Sequence, residues 1–147
     1  MNPNITIKDV SKDRVVCVQG EVFSESKAMN LVNQILVWLI EKGLAISDLP
    51  VIVVNKDRSF EVGIPIKEAR IQETKEYKIK QLEAHRMGSF FHRETEKSLS
   101  LSEDFLKKQL QYEGFKILEP HRYVLHPNPE KPEIPLVEIQ IPVHKQP

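Results

Sequence analysis

The chain has 147 residues, of which 40% are hydrophobic and 29% are charged, a composition typical of a globular domain that can bury a core. Its 21 Lys+Arg and 21 Asp+Glu give a formal net charge of zero, which argues against a general binder of nucleic acid or of membrane surfaces. Cys17 is the single cysteine, so an internal disulfide is excluded, and a cytoplasmic setting is the simplest expectation.

The first half of the chain predicts strands, one helix and a hairpin, in that order. The β-branched runs ITIKDV and RVVCVQGEV predict strands that end near Gly20. Apolar residues recur every three or four positions from Ala28 to Lys42, which predicts a helix, and Gly43 is placed to cap it. Its apolar run is too short to span a bilayer. The runs VIVV and FEVGIPI, separated by the turn formers NKDRS, predict an antiparallel hairpin.

The second half predicts the same succession after a charged connector at 67–76. The run YKIKQLEAHRMG predicts a strand with a bulge, and SLSEDFLKKQLQYEG predicts a helix. Ser100 and Glu103 have the spacing of a capping box, and Gly114 is placed at the C-terminal cap. The runs HRYVL and LVEIQIPV, joined by a proline-rich loop, predict a second hairpin.

A repeated strand relates the two halves. The stretch EVGIPI at 61–66 and the stretch EIQIPV at 138–143 share a glutamate and an Ile-Pro pair at the same spacing. We therefore expect an α+β fold in a single domain of residues 1–147, built from two strand-helix-strand-strand modules at about 1–66 and about 77–147. Placed edge to edge about a pseudo-twofold axis, the modules would form one antiparallel sheet with the two main helices on one face and a ligand groove.

Several stretches resemble one known family in their order and spacing: VVCVQG, NKDRSFEVGIPI, AHRMGSF, FLKKQLQYEGF and HRYVLHPNPEKPEIPLVEIQIPV. This is the GyrI-like small-molecule-binding family, the effector-binding domains of AraC- and MerR-type multidrug regulators. The resemblance covers most of the chain and implies the two-module fold. In multidrug-binding members a glutamate of the final strand pairs with lipophilic cations, and Glu138 matches it. The Gly-Pro-Tyr often found before the second helix of the family is Gly88-Ser89-Phe90 here.

Strand alternation supports a site at Glu138. It places Glu138 and Gln140 on one face of the last strand and Ile139 and Ile141 on the other. If the isoleucines face the helices, the acid faces the groove, where burial would raise its pKa and a cationic ligand would relieve the penalty. Glu138 could instead pair with a neighbouring Lys or Arg, or face water. Glu61, its repeat mate, could line the same groove from the other half, but we favour a surface acid on an edge strand.

Aromatic side chains would complete such a site, because a ring face attracts a cation. Trp38 and Tyr123 are the preferred walls, although every aromatic residue could equally belong to the core. The full set of candidate walls is Trp38, Phe90, Phe91, Tyr112 and Tyr123.

The main hypothesis is non-enzymatic binding of small amphipathic, above all cationic, molecules for sensing or sequestration. The five histidines lack metal-ligand spacing, so no metal is expected, nor any cofactor. No helix-turn-helix pattern is present. We therefore expect a stand-alone sensing part that contacts neither nucleic acid nor membrane directly.

Two alternatives follow from the resemblance. Some relatives hydrolyse strained or electrophilic compounds with a glutamate and a tyrosine. Glu138 would then activate water as a general base, and Tyr123 or Tyr112 would donate a proton. Other members bind and inhibit DNA gyrase, so the partner could instead be gyrase or a separate regulator protein.

Overall fold

A computed structural model of the chain describes residues 2–67, 70–93 and 98–147. Over these residues it contains two helices and nine strands, and the strands pair antiparallel, so the predicted α+β fold class is confirmed. None of the helices in this part of the chain is long and apolar enough to span a membrane. The elements are β1 Ile5–Val10, β2 Asp13–Gly20, α1 Glu25–Glu41, β3 Val51–Val54, β4 Phe60–Pro65, β5 Lys78–Leu82, β6 His85–His92, α2 Leu99–Tyr112, β7 Phe115–Ile117, β8 His121–His126 and β9 Leu136–Lys145.

The chain forms two compact units, each with its own sheet strands and one helix. The first-half unit is Lys12–Glu83, and the second-half unit combines the residues up to Ser11 with Ala84–Pro147. Strands in the first-half unit run in the order β3-β4-β2-β5. Those in the second-half unit run in the order β1-β6-β9-β8, and β7 pairs with the end of β9.

The bounds of these units differ from those of the predicted modules in one strand each. Strand β1 pairs with β6, and β5 pairs with β2, so each half contributes an outer strand to the other half's unit. The predicted bulge in YKIKQLEAHRMG is instead the break between β5 and β6. Alternation determines the face of a side chain but not the partner of a strand, which is why the sequence pattern did not reveal this exchange.

Helix α1 forms where its capping and apolar stripe predict it. The hydroxyl of Ser24 accepts a hydrogen bond from the backbone N–H of Lys27 at 3.1 Å, which satisfies an otherwise unpaired amide of the first turn. Gly43 ends the helix with φ 68, a left-handed conformation that favours glycine. The helix packs against β2 and β4. Its buried stripe consists of Ala28, Val32, Ile35 and Leu39.

Helix α2 begins two residues earlier than the predicted capping box. Ser98 is the N-cap, and its side chain accepts from the backbone N–H of Leu101. Glu103 is therefore too far along the helix to cap it and lies buried instead. The helix packs closely on β6, since a Cβ on Gly88 would lie 2.6 Å from the side chain of Leu110.

Candidate functional site

The two faces of the second-half sheet have different characters. Ile139 pairs in register with Phe90, whose ring lies 5.4 Å from that of Phe105 on α2, so this face is covered by the helix. Glu138 and Gln140 therefore point to the face opposite α2, as the alternation predicted. This placement leaves Glu138 on a sheet face that its own helix does not cover.

On that opposite face the carboxylate of Glu138 is surrounded by donors. Its Oε2 atom accepts hydrogen bonds from Ser89 Oγ at 2.6 Å and from Gln140 Nε2 at 3.0 Å. The ammonium of Lys8 on β1 lies 2.5 Å from the same oxygen. His126 Nε2 on β8 is 2.8 Å from Oε1, and because a carboxylate only accepts, the imidazole must donate. Strands β1, β6 and β8, together with β9 itself, thus each contribute one partner to the carboxylate of Glu138, which is 2% exposed.

The electrostatics of Glu138 differ from the expectation. Burial alone raises its pKa, as predicted, but the hydrogen bonds from Lys8, Ser89, Gln140 and His126 outweigh burial and lower the pKa to about 2. The predicted raised pKa is therefore wrong, because the groups that compensate the charge come from strands distant in sequence. Glu138 is ionised throughout the neutral range.

Phe91 is the aromatic candidate that shares this face. It pairs in register with Glu138, and its ring lies 4.9 Å from that of His126. The side chain is partly exposed. An open cleft of about 420 Å³ lies beside it, lined by Asn4, Phe90, Phe91, Arg93 and Leu136. Both Phe90 and Phe91 therefore contribute to a cleft wall, although only Phe91 stands on the face of Glu138.

The structure does not bring the two tyrosine candidates to Glu138. Tyr123 pairs with Ile139 on the α2 face, and its hydroxyl donates to Glu103 Oε1 at 3.0 Å. Tyr112 lies at the end of α2 and is 87% exposed. Neither is placed to donate a proton in a reaction at Glu138. The hydrolytic mechanism is therefore left without either of the two tyrosines that the sequence suggested as proton donors.

Trp38 lies in the first-half unit, on α1. Its indole stacks on the ring of Tyr77 with centroids 4.5 Å apart and planes inclined by 11°. The ammonium of Lys42 lies 6.0 Å from the ring centroid. Trp38 therefore packs against the segment that precedes β5, which stabilises its own unit.

A second buried acid occupies the α2 face. Glu103 Oε1 accepts from His121 Nδ1 at 2.9 Å as well as from Tyr123, and all three side chains are buried. Burial raises the pKa of Glu103, but the hydrogen bond and positive charge of His121, then Tyr123 and Lys107, outweigh burial and lower it. This cluster ties α2 to β8.

Glu61, the repeat mate of Glu138, is not a surface acid. It is 7% exposed, and the ammonium of Lys80 lies 2.5 Å from its Oε1 atom. The expectation of an edge strand is wrong, because β4 lies between β3 and β2. Glu61 is thus a second buried acid neutralised by a lysine.

The two Lys–Glu pairs occupy the same positions in their sheets. In the second-half unit Lys8 is opposite Met87, and Glu138 is opposite Phe91, four residues further along β6. In the first-half unit the register is the same, with Lys80 opposite Val15 and Glu61 opposite Gln19 on β2. The duplication seen in the sequence therefore includes a lysine on the outer strand.

The alternative that Glu138 pairs with a neighbouring lysine or arginine is what the structure shows, and the partner is Lys8. Sequence reasoning did not name Lys8, Ser89 or His126 as its partners. Lys8 stands at a polar position of the alternating run ITIKDV, which indicated that it faces opposite to Ile5 and Ile7 but not that it reaches another strand's acid. In the described part of the chain no three His, Cys, Asp or Glu side chains are grouped so as to hold a metal ion.

Comparison with known proteins identifies the fold. No protein-family model matches the chain, and no curated protein matches it. The crystal structure of the EcmrR C-terminal domain superposes with a TM-score of 0.83 at 16% identity, covering 99% of this chain and 100% of that one. The chain has the fold of the EcmrR C-terminal domain. In the EcmrR–DNA complex the TM-score is 0.81 at 16% identity over 97% of this chain, which spans 57% of the EcmrR chain.

Two further structures share the fold, one of a hydrolase and one of a protein bound to a lipophilic cation. A hydrolase from Listeria innocua has a TM-score of 0.63 at 13% identity and covers 96% of this chain and 92% of its own. SAV2435, solved bound to tetraphenylphosphonium, has a TM-score of 0.56 at 12% identity and covers 95% of this chain and 93% of its own. At identities this low, the TM-scores show a shared fold and nothing more.

Proposed function

We propose that this chain is an effector-binding domain of the GyrI-like type, which binds small lipophilic cations through Glu138 and serves sensing or sequestration. The observation that carries the proposal is the buried, ionised carboxylate of Glu138 on the sheet face opposite α2. Its neutralising ammonium belongs to Lys8, a side chain that is 40% exposed. The positive charge beside Glu138 is thus held by a side chain that can return to water.

Binding would be an exchange of cations at one carboxylate. A buried ion that loses its partner costs about 3–5 kcal/mol, so Glu138 must keep a positive neighbour at every stage. An incoming cation can replace the ammonium of Lys8, while Ser89, Gln140 and His126 keep their hydrogen bonds to the acid. Phe91, on the same face, offers a ring to a delocalised cation.

Two structural neighbours support this reading. SAV2435, which shares the fold, was solved with tetraphenylphosphonium, a lipophilic cation. EcmrR, which matches 97% of this chain over 57% of its own length, was solved in complex with DNA. This is consistent with a domain that reports ligand binding to a regulator. We extend only the binding of a lipophilic cation to this chain as part of the proposal.

The decisive experiment is a calorimetric titration with tetraphenylphosphonium. We expect Glu138→Gln to weaken binding at least tenfold, since removing the negative charge that faces the ligand removes more than about 1.4 kcal/mol. Glu61→Gln is the matched control, because it neutralises the equivalent buried acid of the other unit. Equal affinity of wild type and Glu138→Gln would overturn the role of Glu138.

Lys8 provides a test of the exchange itself. We expect Lys8→Met to tighten tetraphenylphosphonium binding roughly tenfold, because the free protein then lacks the competing ammonium. Lys80→Met is the matched control and should leave this affinity unchanged. Unchanged or weaker binding by Lys8→Met would mean that the ligand does not take the place of Lys8.

The hydrolytic alternative receives less support. The hydrolases from Listeria innocua share the fold, but sharing a fold does not transfer a reaction. A Glu-Tyr mechanism at Glu138 needs a nearby hydroxyl, whereas Tyr123 bonds to Glu103 and Tyr112 is exposed on α2. Binding without chemistry is therefore the function that this geometry supports best.

A further inference from the structure

The first-half unit has an open cleft at its own Lys–Glu pair. Its volume is about 560 Å³, within the range of roughly 300–1,000 Å³ that holds drug-sized ligands. Val18 and Ile79 also line this cleft, although strand register places both on the face opposite to Glu61 and Lys80.

Glu61 depends on its lysine more than Glu138 does. The positions equivalent to Ser89 and Gln140, which both donate to Glu138, carry Cys17 and Gly63 in the first-half unit. A thiol is a weak donor, and glycine has no side chain to donate. An occupant that displaces Lys80 must therefore bring a positive group to Glu61.

The charges around the cleft disfavour a simple cation. Three ammoniums line it, from Lys75, Lys78 and Lys80, against two carboxylates, and a third carboxylate, that of Glu73, accepts from the backbone N–H of Ile79 in the wall at 3.3 Å. One of those carboxylates, Glu76, already accepts from Gln34 Nε2 at 2.6 Å. A lone cation would meet the repulsion of three lysines, and a lone anion would meet Glu61.

We propose that this cleft is a second binding site and that it takes small zwitterionic molecules. The ligand's cationic group would replace Lys80 at Glu61, and its anionic group would bind the released ammonium of Lys80 together with Lys78. One internal ion pair is then exchanged for two ion pairs with the ligand, so no buried charge is left unpaired. The site is separate from Glu138 and does not depend on cation binding there.

A matched pair of probes tests the charge requirement. Carboxybutyl-triphenylphosphonium is a zwitterion at neutral pH, and pentyl-triphenylphosphonium has the same carbon count without the acid. Cys17 lines the cleft and is the single thiol of the chain. It is buried, and burial raises its pKa to about 11, so it reacts slowly. Its slow modification by methyl methanethiosulfonate at mildly alkaline pH, followed by mass spectrometry, therefore reports whether an occupant blocks access through the cleft. At about ten times its Kd the zwitterion should slow modification roughly tenfold, whereas the cation should not.

Variants separate this site from the one at Glu138. Glu61→Gln should abolish protection by the zwitterion, and Glu138→Gln should preserve it. Lys78→Gln, a substitution at an exposed position, should weaken binding of the zwitterion severalfold. Equal protection by the two probes, protection that survives Glu61→Gln, or protection lost in Glu138→Gln would each overturn the proposal. None of these results bears on tetraphenylphosphonium binding at Glu138.

Discussion

Acidification from about pH 7 to about pH 2 is expected to remove about 3 kcal/mol of unfolding free energy from the wild-type protein through Glu138 alone. The pKa of Glu138 is lowered from 4.5 to about 2 in the folded protein. A carboxyl group whose folded pKa is depressed stabilises the fold above its unfolded pKa. That stabilisation is lost as the pH falls from about 4.5 through about 2.

Urea unfolding of wild type and Glu138→Gln at stepped pH would measure this loss. The stability difference between the two proteins should be largest near neutrality and should nearly vanish at the acid end. The pKa of Glu103 is also lowered, so both proteins should lose some stability in acid for that second reason. Parallel stability curves for the two proteins would show that Glu138 is not held as an anion by its neighbours.

Glu103→Ala is expected to cost about 3 kcal/mol of unfolding free energy, since it takes a shared acceptor from two buried donors. His121 Nδ1 and the hydroxyl of Tyr123 both donate to the same carboxylate oxygen. Affinity for tetraphenylphosphonium should not change, because Glu103 lies on the α2 face and Glu138 on the other. The two buried acids of this unit would then have separate roles in stability and in binding.

Asp104→Ala is the control for that substitution. Asp104 is the next residue of α2 and is exposed, so its loss should change stability by less than about 0.5 kcal/mol. Equilibrium unfolding in urea gives both values, and the same preparations serve for the titration. A Glu103→Ala protein as stable as Asp104→Ala would contradict the structural role of Glu103. A loss of cation affinity would contradict the separation of the two faces.

Much of the fold could be predicted because it rests on local rules. The stripe of α1 and the conformation that Gly43 permits are readable from residues a few positions apart. Alternation in the last strand correctly placed Glu138 and Ile139 on opposite faces of the sheet. The start of α2 was less well predicted, since both Ser98 and Ser100 are good caps and only the observed hydrogen bond to Leu101 distinguishes them.

The site was predictable only as far as one strand extends. The family resemblance directed attention to Glu138, and alternation added Gln140, which does hydrogen-bond to it. The aromatic candidates had no such guide. Tyr123 is in the strand next to Glu138, yet its register places it on the other face. Tyr123 was expected near Glu138 because its strand is the hairpin partner of the last strand. That expectation fails, because a shift of one residue along a strand puts a side chain on the other face of the sheet.

By itself the sequence determined that there are two helices at these places in the chain, which face each residue of the last strand takes, and that one Glu-x-x-Ile-Pro strand is used twice. The tertiary structure alone decided that Lys8 neutralises Glu138 and Lys80 neutralises Glu61, because each lysine stands on a strand that joins the sheet from elsewhere in the chain. It also decided that Glu61 is buried. The physical reason is that alternation is a property of one strand, whereas burial and charge compensation depend on which strands become its neighbours.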